Sequence, residues 1–179
     1  MAQHSVALLG LILFSVIAQA GPSQKITSLG TFSNYRFTEE HQYGTGLQLW
    51  QEGTSLFGLF SYSQGLIGDS PAGVLEKVSF DPKTGHITFT AKLTMGLHSC
   101  NVHRNGVPSQ DIFHFEGALS NMSLSGTLIH ADNLHQDQAP TKENIVLKKS
   151  DEWVVTQFRN REQWETAIKD ILKFRGPKW

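Results

Sequence analysis

The segment His98-Ser99-Cys100-Asn101-Val102-His103 gathers two imidazoles and the chain's one thiol into a single stretch. Imidazole and thiolate are the donors that zinc and copper ions prefer, and such short spacings let one loop wrap an ion. His98, Cys100 and His103 are therefore the candidate metal ligands, with His114, His130 or His135 as a further donor if the fold brings one near. The set is an irregular triplet rather than two spaced pairs. The competing expectation is exposed imidazoles around a cysteine that packs inward. No other motif asks for a cofactor, so the expectation is none, or zinc or copper at this loop.

Cys100 and His103 also permit a thiol activated by an imidazole. The local motifs of cysteine proteases are absent, and so is a Gly-x-Ser-x-Gly elbow. Glu39-Glu40 reads as solvated surface. Glu76 is placed on the apolar face of its strand, opposite Ala91, where a raised pKa would suit a general acid; Glu116 is placed outward. Gly44-Thr45-Gly46 opens a strand with no helix after it to hold a phosphate. Asn121-Met122-Ser123 is a glycosylation sequon at a predicted turn. No catalytic residue is assigned.

Hairpins must position these groups. Asp81-Pro82-Lys83-Thr84-Gly85 has turn chemistry, since proline presets φ and glycine supplies a left-handed residue. Pairing outward from it sets Phe80 against Ile87, Val78 against Phe89 and Val74 against Leu93. A turn at Asn121-Met122 sets Leu119 against Leu124, Gly117 against Gly126, Phe115 against Leu128 and Phe113 against His130. The opposed glycines predict a notch into which a ring or a backbone packs. A Glu52-Gly53 turn puts Leu47, Leu49, Leu56, Gly58 and Phe60 on one face and Trp50, Phe57 and Leu59 on the other, so this hairpin is apolar on both sides. Further strands are expected at Thr31–Thr38 and Asn144–Lys149. Two polar connections, Met95 to Gln110 and Asp132 to Lys142, lack periodicity and are long for a small domain.

One convincing helix follows. Asn160 is a good N-cap with Gln163 placed to complete a capping box, and Trp164, Ile168, Ile171 and Leu172 form one apolar stripe. Gly176-Pro177 ends it. Arg161, Glu165, Lys169 and Lys173 form a solvated row. The second apolar face of the Trp50 hairpin is the expected receiver for the stripe. The fold class is mainly β: an antiparallel β-barrel or β-sandwich of about eight strands with one C-terminal amphipathic α-helix.

The remaining signals concern destination and partners. Val6 to Ala18 is a run of 13 weakly polar to apolar residues, short of the roughly 20 that span a bilayer. It ends in Ala18-Gln19-Ala20, a small-x-small cleavage pattern. Residues 1–20 are expected to be a signal peptide and 21–179 a single secreted β-domain, with strands over roughly 31–149 and the helix over roughly 160–174. The product is secreted or periplasmic, with no transmembrane segment. The 15 Lys and Arg against 16 Asp and Glu leave a net charge of −1, which argues against a nucleic-acid binder. A non-catalytic binding or interaction domain leads, its partner an unidentified protein or a small apolar ligand inside the inward set Leu47, Leu49, Phe60, Phe80, Phe89, Phe113 and Phe115. A transition-metal-binding exported protein is second and a hydrolase third.

Overall fold

A computed structural model describes residues 25–67, 70–93, 97–98, 107–108, 111–132, 137–150 and 157–172, with only the backbone at 97–98, 107–108 and 170–171. In chain order the strands are β1 (Ile26–Ser33), β2 (Arg36–Phe37), β3 (His41–Glu52), β4 (Ser55–Leu66), β5 (Ala72–Phe80), β6 (His86–Lys92), β7 (Leu97–His98), β8 (Val107–Pro108), β9 (Ile112–Leu119), β10 (Ser123–Ala131) and β11 (Thr141–Ser150); helix α1 (Arg161–Leu172) follows. One antiparallel sheet runs β1-β11-β10-β9-β6-β5-β4-β3-β2, and β1 also pairs with β3. That extra pairing closes eight strands into a barrel and leaves β2 as an extra strand on β3. β7 and β8 pair with each other in a separate ladder.

The barrel resolves the choice between barrel and sandwich, and alternation along the strands explains its inside. Residues facing each other across a ladder share a side of the sheet, so Phe32 with Leu47, Phe89 with Phe115 and Phe115 with Leu128 all point inward. A closed sheet of this strand number has an interior just wide enough for side chains. Here rings occupy it: Phe60 to Phe113 at 4.9 Å between centroids, Phe89 to Phe115 at 5.1 Å and Phe60 to Phe89 at 6.0 Å. The predicted inward residues are buried, except Phe80, which is half-buried against the same cluster.

The β9–β10 register is the predicted one at every pair. The notch at Gly117 and Gly126 is filled by the Phe115 ring, whose Cζ would lie 2.7 and 2.8 Å from Cβ atoms built at those glycines. At the turn, Ser120 Oγ accepts hydrogen bonds from the Met122 and Ser123 N–H groups. The β3–β4 turn lies one residue later than predicted, with Glu52 facing Ser55 across Gly53 and Thr54. That slides the register by two residues, an even number, so both faces keep their predicted members. The first strand differs more. Ile26–Ser33 starts earlier than Thr31 and breaks before the separate two-residue β2.

The β5–β6 hairpin holds one correction. Phe80 faces Ile87 as predicted, but the register shifts between Ser79 and Glu76, so Glu76 faces Thr90 and Leu75 faces Ala91. Lys77 sits at the irregularity with φ 50°. A β-bulge places an extra residue here and reverses the faces beyond it. Leu75 turns toward the inner cluster, Val74 joins the outer one, and Glu76 is exposed. The inward, acid-like Glu76 is therefore overturned. The left-handed region costs a residue with a Cβ roughly 1–2 kcal/mol, and lysine carries that cost where glycine would not.

Helix α1 covers the outer face of the β3–β4 hairpin. Trp164 and Ile168 are buried with Trp50, Phe57, Leu59 and Ile26 in a second core, with Phe158 and Leu172 packed against it. Trp164 lies 4.8 Å from Phe57 and 5.7 Å from Trp50, ring to ring. Among the described residues the buried indole N–H groups of Trp50 and Trp164 have no hydrogen-bond partner, so the contact between these residues is one of shape and apolar area. Asn160 Oδ1 accepts from Gln163 N–H at 2.9 Å, the predicted cap, while Gln163 Oε1 reaches back to Arg159 N–H at 2.8 Å rather than to Asn160. Arg161 departs from the solvated row: its guanidinium lies 4.1 Å over the Phe57 ring.

Two substitutions test this packing. Alanine at Gly126 would press its Cβ onto the Glu116 carbonyl oxygen and the Phe115 ring; the expected loss in urea-unfolding free energy is about 1–3 kcal/mol. Asn160→Ala removes a cap and is expected to cost about 1 kcal/mol, read in the same assay.

Candidate functional site

The two ends of the barrel are built differently. Tight turns at Gly53-Thr54, Pro82–Thr84 and Asn121-Met122 close one end. The other carries the connections β1–β3, β4–β5, β6–β9 and β10–β11, stitched where they begin and return. Asn34 Oδ1 accepts from Thr45 N–H at 2.7 Å, Ile67 N–H donates to Glu40 O at 3.0 Å, and Leu93 N–H donates to Asp111 O at 2.9 Å.

At that long-loop end the inward alternation continues past the apolar core into polar residues. Tyr62 lies two positions beyond Phe60 on β4, Asp111 two before Phe113 at the start of β9, His130 two beyond Leu128 on β10, and Glu143 two before Ile145 on β11. Phe113 is their floor. The His130 ring stacks on it at 4.4 Å between centroids and 7° between planes, and Tyr62 lies 4.9 Å from Phe113 and 5.5 Å from His130. His130 Nε2 is 3.0 Å from Asp111 Oδ1. An ionised carboxylate only accepts, so Nε2 carries the donated proton, and in the neutral ring Nδ1 keeps the lone pair. Thr45, buried opposite Tyr62, shares this face.

Burial pushes the Tyr62 phenol up from its ordinary pKa, and the negative charges of Glu143 and then Asp111 push it further the same way. Tyr62 is thus held as a protonated donor beside the carboxylates of Glu143 and Asp111. The arrangement can hydrogen-bond a ligand or hold a positive group against an aromatic floor. Among the described residues it places no serine or cysteine nucleophile against the His130 imidazole.

The predicted residues fall as follows. His98 lies in β7, paired with Val107, with only its backbone described; Cys100, His103 and His135 lie outside the described residues. His130 is at the mouth. His114 is on the outer face, where its Nδ1 is 3.0 Å from Thr90 Oγ1 across the β6–β9 ladder. Glu116 points outward as predicted, 3.4 Å from His86 Nε2. Glu39 and Glu40 are exposed. Among the described residues no three His, Cys, Asp or Glu side chains gather where they could hold a metal. Sequence reasoning misses Tyr62, Asp111 and Glu143: Tyr62 and Asp111 continue the inward alternation of Phe60 and Phe113, whereas Glu143 precedes the strand expected at Asn144–Lys149, to which the sequence assigns no inward face.

Comparison with protein-family models, with curated proteins and with solved structures finds no match to the chain.

The Tyr62 environment has a pH signature. Below pH about 10 the phenol is protonated in folded and unfolded chains alike. As pH rises past that value the unfolded chain ionises first, so stability falls through the folded pKa. Tyr35, half-buried on the outer side with its hydroxyl 2.6 Å from Ser61 Oγ, is pushed up in the same sense by desolvation. Tyr62→Phe is expected to make the alkaline fall in unfolding free energy shallower. Glu143→Gln is expected to move one tyrosinate transition at 295 nm to lower pH.

Proposed function

We propose that the protein is an exported, non-catalytic binding domain that takes a small ligand at the long-loop end of its barrel. The observation that carries the proposal is the cluster of Tyr62 and His130 on the Phe113 ring, with Asp111 bonded to His130 and the charge of Glu143 felt at Tyr62. A shaped apolar floor with a few convergent polar groups is what small-ligand sites are made of. Rings fill the middle of the lumen, so the ligand sits at the rim, where the carboxylates of Asp111 and Glu143 favour donors and positively charged groups. Export rests on the apolar leader and its Ala18-Gln19-Ala20 ending.

Titration of 15N-labelled chain with a panel of small amines, polyols and carboxylates tests this. Amines are expected to shift the amides of Tyr62, Asp111, His130 and Glu143, and Glu143→Gln to weaken binding several-fold. Shifts confined to the outer faces would overturn the assignment.

A metal-binding function is the second reading, favoured by one observation. The connection that holds His98, Cys100 and His103 leaves the barrel after Leu93 and returns at Asp111, beside His130, and β7 pairs with β8 within it. On this reading zinc or copper stays bound through dialysis, and Cys100→Ser and His103→Ala each abolish it; equal metal content in all three proteins would rule it out.

A further inference from the structure

Of the chain's asparagines, only Asn121 stands two residues before a serine or threonine, in Asn121-Met122-Ser123, the acceptor sequence for N-linked oligosaccharide. The β9–β10 hairpin carries it at its tip, where Asn121 is exposed and Met122 is 68% exposed.

The turn holds its shape without the Asn121 side chain. Ser120 N–H donates to Ser123 O and Lys149 N–H to Met122 O, each at 2.8 Å, while Ser120 Oγ accepts from the Met122 and Ser123 N–H groups. Asparagine is favoured in tight turns because it tolerates left-handed φ or bonds nearby backbone. Asn121 does neither. Lys77 alone among the described non-glycine residues has a positive φ, and the Asn121 carboxamide has no hydrogen-bond partner among the described residues. The other described asparagines are engaged: Asn34 Oδ1 accepts from Thr45 N–H, Asn144 Oδ1 from the Thr127 hydroxyl, and Asn160 Oδ1 caps α1.

We propose that Asn121 carries an N-linked glycan, a modification that rests on the export reading and is independent of the ligand at the mouth. The Asn121 amide nitrogen attacks the anomeric carbon of an oligosaccharide carried on a polyisoprenyl pyrophosphate. A C–N bond forms as the C–O bond to the pyrophosphate breaks; the pyrophosphate leaves with the bonding pair, and one amide proton passes to the transferase's base. Transfer uses the extended chain, so the folded barrel has only to leave room for the sugar, and the exposed tip leaves it. The glycan also stays clear of the mouth. Phe113 and Leu119 lie six residues apart on β9, about 20 Å at the rise of a strand, and the turn lies beyond Leu119.

The test expresses the full chain, leader included, in a eukaryotic secretory host and measures the intact mass of the secreted protein before and after peptide N-glycosidase. A mass excess that the glycosidase removes, leaving Asn121 deamidated in its peptide, is expected. Asn121→Gln and Ser123→Ala are each expected to be secreted at the bare mass, and Ser123→Thr to keep the glycan. Wild-type protein secreted at the bare mass, or a glycan that persists in Asn121→Gln, would overturn the inference. Retention in the cell with an uncut leader overturns export instead; residues 21–179 behind a leader of proven secretion then put Asn121 to the same two outcomes.

Discussion

Strand β1 is hydrogen-bonded to β3 along one edge and to β11 along the other, and this double pairing turns an open sheet into a barrel. Closure removes the free edges of the eight strands and fixes the width of the interior, so the inward face of every strand must fit the same narrow space. Much of the sequence answers to that constraint. Gly58 stands opposite Leu49, and Gly117 opposite Gly126, leaving room for rings contributed elsewhere. Gly30, at φ 112°, lies at a register shift in β1, where the strand adjusts to meet two partners at once; the Lys149 side chain packs over it.

What the sequence disclosed follows from the same constraint. Alternation survives small errors: the Gly53 turn could be misplaced by one residue and still leave Leu47, Leu49 and Phe60 on the inner face, because the register moved by two. It does not survive an odd insertion. The bulge at Lys77 carries no glycine or asparagine to announce it, so strict alternation places Glu76 inward although the strand has already turned over. At the mouth the failure was of another kind. Asp111, Tyr62 and Glu143 obey the alternation, but each lies where the apolar run of its strand has ended or not yet begun, so no apolar neighbour beyond it marks the face. A strand that runs out of its core keeps its parity after it loses its hydrophobicity. His130 is legible because it is an imidazole that the hairpin register sets opposite Phe113.

The hairpin of β3 and β4 serves two cores at once, which explains why it is apolar on both sides. Its inner face fills the barrel and its outer face receives α1. Among the described residues the outer contact has little directional content, its two buried indole N–H groups finding no partner there, and the capping bonds of Asn160 and Gln163 fix where the helix begins. Polarity meanwhile grades along the lumen, from stacked phenylalanines in the middle to a phenol, an imidazole and carboxylates at the rim. The rim side chains Tyr62, His130 and Glu143 are themselves paired in the ladders, so the strands that build the barrel also fix their positions.

Closure through β1 also sets an order of events. Its partners lie at opposite extremes of the chain: β3 follows within a few residues, but β11 begins only at Thr141. A chain emerging from its N-terminus can form the β1–β3 pairing early and then carries an unsatisfied β1 edge until almost all the barrel has been made. Contacts of such long sequence separation form slowly, and an open edge is a template for another chain's strand. The barrel is therefore most exposed to mispairing with a neighbour just before its last strand arrives.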